Sequence, residues 1–378
     1  MARTVIVLAA SVLAWTHVVF PIVLIARARA RLKPVVRRPI QPKVSVIVAA
    51  HNEGREIGQR LDNLASQTYP TECLDVVVAS DGSTDDTVAK AAGRHHVRVL
   101  DLPRVGKPAA LNAAVRVASG EILVFTDANT EFAPNAISAL VMPFADPHVG
   151  AVAGDQQYVA GSDGAGERGH WALDRILKQA ESAGGSAVSA TGAIYAIRRE
   201  LVDDVPSGVT DDFFISTGSV SRGYRLVFEP DAVARERVAP GDRSEYSRKV
   251  RIITQGLTAL VLRRSLFDVR RHGFYSLQLL THKVLRRLSV LPLLAMALAT
   301  AAGARNDRWM RLLLVPQALI YGLGALGIAS GSRAPQSRLI ALPTFLCLSN
   351  AAALHALVNV LRGRRIAQWE PTHVIRED

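Results

Sequence analysis

Four stretches of this 378-residue chain contain no Asp, Glu, Lys or Arg: 4–26, 288–304, 312–332 and 339–361, of 23, 17, 21 and 23 residues. A helix needs roughly 20 apolar residues to cross the hydrocarbon core of a bilayer. The first, third and fourth runs therefore read as spans, while the second, short and containing Pro292, is expected to span, re-enter or lie buried. Ala26-Arg27-Ala28 has the small–x–small form of a cleavage site, but its central arginine and the length of the apolar stretch do not suit a signal peptide. Residues 1–26 are read as an uncleaved anchor. The six basic residues of 27–38 place the chain beyond the anchor in the cytosol, and Arg362, Arg364 and Arg365 favour a cytosolic tail.

The same runs explain the charge. The formal net charge is +12, which on its face invites a nucleic-acid partner. Residues 27–38, 248–287 and 362–365 together carry +18, whereas 39–247, with 19 basic and 28 acidic residues, carries −9. Basicity confined to segments beside apolar runs fits anionic lipid headgroups and argues against a nucleic-acid groove. The expected organisation is an anchor at 1–26, a basic juxtamembrane linker at 27–43, and a cytosolic domain at 44–247. Beyond it come basic interfacial helices at 248–287, a membrane region of two or three spans at 288–361 and a tail at 362–378. Cys73 and Cys347 lie in different regions, and no disulfide framework or zinc spacing is available.

Within 44–155, short β-rich runs alternate with helical stretches. Strands are predicted at 44–50, 74–80, 97–102, 121–127 and 149–155, and helices at 54–66, 84–93, 107–118 and 134–143. Continuous Val/Ile runs followed by helices indicate an α/β fold with a mostly parallel sheet covered on both faces. Ligands in such sheets sit at the carboxyl ends of the strands, and the polar residues gather there: His51-Asn52-Glu53, Asp81-Gly82-Ser83 and Asp127-Ala128-Asn129. Neither GxGxxG nor GxxxxGK[ST] is present, which removes most of the weight from dinucleotide and P-loop functions.

Each candidate has a plain structural reading beside a chemical one. Asp81 is a turn residue, with Ser83-x-x-Asp86 as a capping box, or a carboxylate that accepts from the N–H of a uracil-like base. Asp127 and Asn129, at i and i+2, are strand-end caps or two oxygen donors facing one hard cation. Thr210-Asp211-Asp212 caps the helix that begins at FFIS, or supplies a general base. Lys107 is a solvated lysine at a helix start or a cation near phosphate. Arg198-Arg199 is a surface pair or a phosphate contact. Tyr246 with the run Arg248-Lys249-Val250-Arg251 opens a helix that either lies on anionic lipid or also contacts a donor diphosphate.

The ordered set VSVIVAAHNE, VVVASDGSTDDT, GKPAALNAA, GEILVFTDANT, TGAIYAIRR and VTDDFFIS resembles the family 2 glycosyltransferases with their GT-A fold, over about 44–256. The flanking apolar runs resemble the membrane-integrated branch that includes hyaluronan, cellulose and poly-N-acetylglucosamine synthases. By this resemblance Ala50, Asn52, Glu53 and Asp81 would hold the nucleotide base and ribose, with Lys107 near them. Asp127 would take the first place of the family's Asp-x-Asp metal motif, with Asn129 where a second Asp is usual, and would hold Mg²⁺ or Mn²⁺. Asp212 would be the base, Asp211 would stand where the family has Glu, and Gly192 would lie by the acceptor. Arg248 and Arg251 keep the two basic positions of the family's Gln-Arg-x-Arg-Trp helix, but Ile252 replaces its aromatic, which weighs against processive synthesis. Trp369-Glu370-Pro371-Thr372 faintly resembles a gating segment of hyaluronan synthases.

The resemblance implies an inverting transferase in a cell membrane. It would move a sugar from a nucleotide-diphosphate donor, a UDP-sugar first among them, to a glycan acceptor. Single transfer to a polyprenyl phosphate or other lipid acceptor is one alternative. A non-catalytic nucleotide-sugar sensor or scaffold is another.

Overall fold

A computed structural model describes residues 1–94, 96–159, 165–237, 242–330 and 338–366; Trp369–Thr372 lies outside them. The chain divides into two compact units. One comprises Met1–Val23, Pro240–Thr258 and Leu277–Ile366, and the other is built on Leu24–Ala239 with Ala259–Ser276.

The second unit is organised around an eight-stranded sheet. Its strands are β1 Val44–Ala50, β2 Leu74–Asp81, β3 Val97–Leu102, β4 Ile122–Asp127, β5 Thr130–Phe132, β6 Val149–Val159, β7 Tyr195–Arg198 and β8 Arg225–Arg237. They lie in the order β3-β2-β1-β4-β7-β6-β8-β5. The pairs β3-β2, β2-β1 and β1-β4 are parallel, β7 runs antiparallel between β4 and β6, β6-β8 is parallel and β5-β8 antiparallel. Every residue of β1 is buried, as expected of a central strand whose two faces are both covered.

The two faces are unlike. On one, Val44, Val46, Val48, Val76, Val78 and Val124 pack with Ile57, Leu61 and Leu64 of the helix Ile57–Ala65 and with Ile137 and Leu140 of Ala136–Val141. On the other lie the helices Lys107–Val117, against β1 and β2, and Asp211–Ser221, against β6 and β7. Residues two apart on a strand share a face, so Phe125 and Asp127 of β4 point the same way. Phe125 stacks on Tyr195 of β7, its register partner, with ring centroids 5.0 Å apart.

The five strands expected at 44–155 are present, with small shifts of boundary. The helices are shorter than the pattern suggests: Ile57–Ala65, Thr87–Ala91, Lys107–Val117 and Ala136–Val141.

Among the described residues, three helices are long and apolar enough to cross a membrane: Ala2–Ala30, Arg308–Ser330 and Leu339–Leu361. The short second run forms the helix Val290–Gly303, which with Phe274–Leu285 makes a pair bent by 58° at a break, the geometry of a broken span or a re-entrant segment. Polar contacts join the first helix to this region: Trp15 Nε1 donates to Thr281 Oγ1 at 3.4 Å and Arg3 pairs with Asp307 at 2.5 Å.

Ile47, with no exposed surface at the centre of β1, sets the expectation for the core. Ile47→Ala should cost about 3 kcal/mol, and Glu72→Ala, at an exposed position, should stay within about 0.5 kcal/mol. Urea titration of the detergent-solubilised chain followed by circular dichroism reads both.

Candidate functional site at the carboxyl ends of the strands

The loops after β1 and β2 are stapled to each other. Asn52 adopts the left-handed region at φ 53, its N–H donates to Ser83 Oγ at 3.0 Å, and its Oδ1 accepts from Thr84 N at 2.8 Å. His51 Nδ1 lies 2.8 Å from the Asp81 carbonyl, Glu53 N donates to Thr87 Oγ1 at 2.8 Å, and Gly54 N donates to Asp85 Oδ2 at 2.9 Å. Asp85, not a Ser83/Asp86 box, caps the helix Thr87–Ala91: its Oδ1 accepts from Thr87 N at 3.0 Å, while Ser83 serves Asn52 and Ser80. Ala50 is fully buried at the end of β1, as part of the hydrophobic core.

Asp81, 1 % exposed, has a partner that sequence reasoning did not foresee. Its Oδ1 accepts from Val105 N at 2.7 Å and Gly106 N at 2.8 Å, and its Oδ2 pairs with Arg104 at 3.2 Å. Asp81 therefore latches the turn that leads into the helix Lys107–Val117. Gly106 sits at φ 89 in that turn, and Gly82 at φ 64 would place a Cβ 2.8 Å from Arg104 N; both conformations favour glycine.

The latch presents Lys107. Its Nζ lies 2.8 Å from Asp127 Oδ1 and 3.4 Å from Asp211 Oδ2, with its side chain 15 % exposed. Burial pushes the ammonium's pKa down, but Asp127 and Asp211 outweigh it and hold the group above the ordinary lysine value. Asp211 and Asp212 begin the helix Asp211–Ser221, where the helix dipole favours acids, and Asp212 Oδ1 accepts from Phe213 N at 2.7 Å. Asn112 ties the helix Lys107–Val117 to the loop that precedes Asp211–Ser221 by exchanging hydrogen bonds with the Val205 backbone at 3.0 and 2.9 Å. Arg263 donates to the Phe214 carbonyl at 2.9 Å and pairs with Asp203 at 2.8 Å.

Gly192 belongs here too: a Cβ on it would come into van der Waals contact with Asp127 Oδ2, at 3.5 Å. Thr191, Thr210 and Tyr195 carry buried hydroxyls without a hydrogen-bond partner. Burial raises the Tyr195 phenol well above its ordinary pKa, and Asp211, Asp212 and Asp127 add to the rise, which places the ring among these acids.

Two further residues escaped the sequence. Arg60, 2 % exposed, donates to Thr126 Oγ1 at 2.9 Å and Asn63 Oδ1 at 2.6 Å and lies 4.1 Å over the Phe132 ring, a buried cation behind Asp127. Its signal was an arginine on the apolar stripe Ile57, Leu61, Leu64. Glu236 of β8 bonds to Gln156; burial and then Asp127 push its carboxyl up to about 7. Glu53 reaches about 7 in the same way, through burial, Asp127, Glu56 and Asp85.

Arg198 does not join the site. It donates to the Val149 and Phe144 carbonyls at 2.9 and 3.0 Å, an internal brace in place of a phosphate contact. Arg248 and Arg251 lie on the helix Asp242–Leu262, in the portion that belongs to the first unit.

Asp127 and Asn129 offer hard oxygen donors of the kind Mg²⁺ and Mn²⁺ take. Among the described residues no group of three His, Cys, Asp or Glu is placed to hold a metal. The donor set thus fits a cation bound by one or two side chains and completed by substrate phosphates and water.

Residues 45–205 match the family model described as glycosyl transferase family 2. This segment is a glycosyl transferase family 2 domain. An N-acetylglucosaminyltransferase of Sinorhizobium fredii is 27% identical over 239 residues, which cover 57% of this chain and 57% of that protein. A poly-beta-1,6-N-acetyl-D-glucosamine synthase of Staphylococcus aureus is 26% identical over 202 residues, covering 50% of this chain and 48% of that protein. The chain spans about half the length of the curated relatives it matches. The solved structure of the mannosyltransferase PcManGT from Pyrobaculum calidifontis, in complex with GDP-Man and Mn²⁺, superposes with a TM-score of 0.74 at 27% identity, covering 96% of this chain and 100% of that one. The fold of the family 2 unit is of the GT-A type.

Two outcomes are expected from the latch and the raised carboxyls. Asp81→Asn weakens two charge-assisted bonds to the Val105 and Gly106 amides, at a cost of about 2 kcal/mol, and hydrogen exchange at those two amides should accelerate about tenfold or more. Glu236 binds a proton more tightly folded than unfolded, so it lowers stability progressively from about pH 4.5 to about 7. Glu236→Gln should therefore gain stability relative to the parent across that window and hold the gain above it, read as thermal midpoints at pH 4.5, 6 and 8.

Proposed function

We propose that the chain is a membrane-embedded inverting glycosyltransferase that moves a sugar from a nucleotide-diphosphate donor to a hydroxyl acceptor. The observation that carries this reading is the meeting of Asp127, Lys107, Asp211 and the helix-borne Asp212 at the carboxyl ends of a GT-A sheet. The loops holding Asn52, Glu53 and Asp81 would shape the nucleotide end of the cleft. The donor is a UDP-sugar or GDP-mannose: the curated relatives named above are N-acetylglucosaminyl enzymes, and PcManGT holds GDP-Man.

In this reaction Asp212 takes the acceptor hydroxyl proton as its oxygen attacks the anomeric carbon. The bond from that carbon to the diphosphate oxygen breaks from the opposite face, and the nucleoside diphosphate leaves with the electron pair. The Phe213 N–H fixes the Asp212 carboxylate at the helix N-terminus. Asp127 and Asn129 would hold Mg²⁺ or Mn²⁺, which supplies charge neutralisation for the departing diphosphate; Mn²⁺ in PcManGT supports this. Gly192 leaves room beside Asp127 for the sugar and its acceptor. The basic segment that carries Arg248 and Arg251 suits anionic lipid headgroups.

The three span-length helices and the charge pattern support a multi-pass membrane protein with its catalytic unit on the cytosolic side.

Release of nucleoside diphosphate from UDP-N-acetylglucosamine and GDP-mannose by the full chain in membranes tests the proposal. Asp212→Asn should lower kcat about 10³-fold with little change in KM, and Asp127→Ala should abolish the response to Mn²⁺. Undiminished turnover in both variants would refute the assignment.

A further inference from the structure

Lys107 stands where its neighbours would otherwise face a metal. Its ammonium touches Asp127 from β4 at 2.8 Å and Asp211 from the helix Asp211–Ser221 at 3.4 Å, with most of its surface withdrawn from water. This placement is built. The Asp81 carboxylate grips the two amides just before it, Gly106 supplies the φ of 89 that turns the chain, and Asn112 fastens the same helix to the Val205 backbone. From the other side, the Arg60 guanidinium is buried behind β4 on Thr126.

The geometry points to Lys107 as a built-in counter-cation that a divalent metal must displace from Asp127, and that turns to the donor diphosphate once displaced. The inference rests on the proposed donor chemistry of this site. Two cations cannot share one carboxylate edge in a partly desolvated cleft without strong repulsion. The ammonium and the metal are therefore competitors for Asp127 until an anion arrives to take the ammonium. A lysine suits this exchange, because its charge is compact and its four-carbon stem swings where an arginine fork would be held. The Tyr195 hydroxyl, buried without a hydrogen-bond partner on the strand next to β4, offers a new partner when the pairing changes. The consequence is a site that holds metal poorly when empty and well when the nucleotide is in place, so that donor and cation enter together.

Mn²⁺ titration of the full chain in detergent, followed by the electron paramagnetic resonance of free Mn²⁺, tests this without turnover. An ammonium seated on Asp127 nine-tenths of the time would weaken apparent metal affinity about tenfold. Lys107→Met should therefore bind Mn²⁺ about tenfold more tightly than the parent, and the charge-retaining Lys107→Arg should stay within about threefold of it. Equal or weaker binding by Lys107→Met overturns the competition while leaving the transferase reading in place, as does a Lys107→Arg variant that tightens as much as the methionine. Absence of Mn²⁺ binding in the parent and both variants, with and without UDP or GDP, overturns the metal reading and this inference with it.

Discussion

The ion pair between Lys107 and Asp127 is the interaction around which the candidate site is arranged. It joins the first residue of a helix to the last residue of a central strand, and a second acid from another helix completes it. Three charges at 15–28 % side-chain exposure are costly to bring together unless each is paired. Much of the surrounding structure meets that cost: the Asp81 latch, the Asn112 brace and the buried Arg60 all fix groups that would otherwise move or repel. Glu53 and Glu236 are both raised to about 7, first by burial and then by the nearby Asp127 carboxylate.

The parallel half of the fold was legible because its signal is local. VSVIVAA, LDVVVAS and EILVFTD are continuous β-branched runs, each followed by a helical stretch, and a strand covered on both faces needs nothing more. The antiparallel half was not. β5 is only three residues long, and β8 carries Pro230 within it, a residue that argues against a strand. The register between β6 and β8 jumps there, from Gly154↔Glu229 to Asp155↔Val233. An irregularity of that kind is settled by tertiary pairing and leaves no periodicity to read.

The site was legible as a collection of residues and illegible as a set of contacts. Asp127, Asp211, Asp212, Lys107 and Gly192 do come together. Yet Lys107 was expected beside a nucleotide and is found on two carboxylates, and Asp81 was weighed as a base ligand or a capping-box turn and is found gripping backbone amides. Both roles depend on which loop lies across which strand end, and a linear motif does not carry that. Glu236 and Tyr195 gave no signal at all, since their place in the cleft comes from strand order alone. The apolar runs, by contrast, became helices almost residue for residue, and the short second run became one arm of a bent pair.

The central claim is that Asp127 is the metal and diphosphate pole of this cleft and that Lys107 yields it. The most direct measurement is an anomalous-difference map at the manganese edge from crystals of the full chain grown with Mn²⁺ and a nucleoside diphosphate. A peak about 2.1 Å from an Asp127 oxygen, with the Lys107 ammonium moved off that carboxylate and onto phosphate, is the predicted result. A peak remote from Asp127, or a Lys107–Asp127 contact still near 2.8 Å with the metal bound, would contradict it.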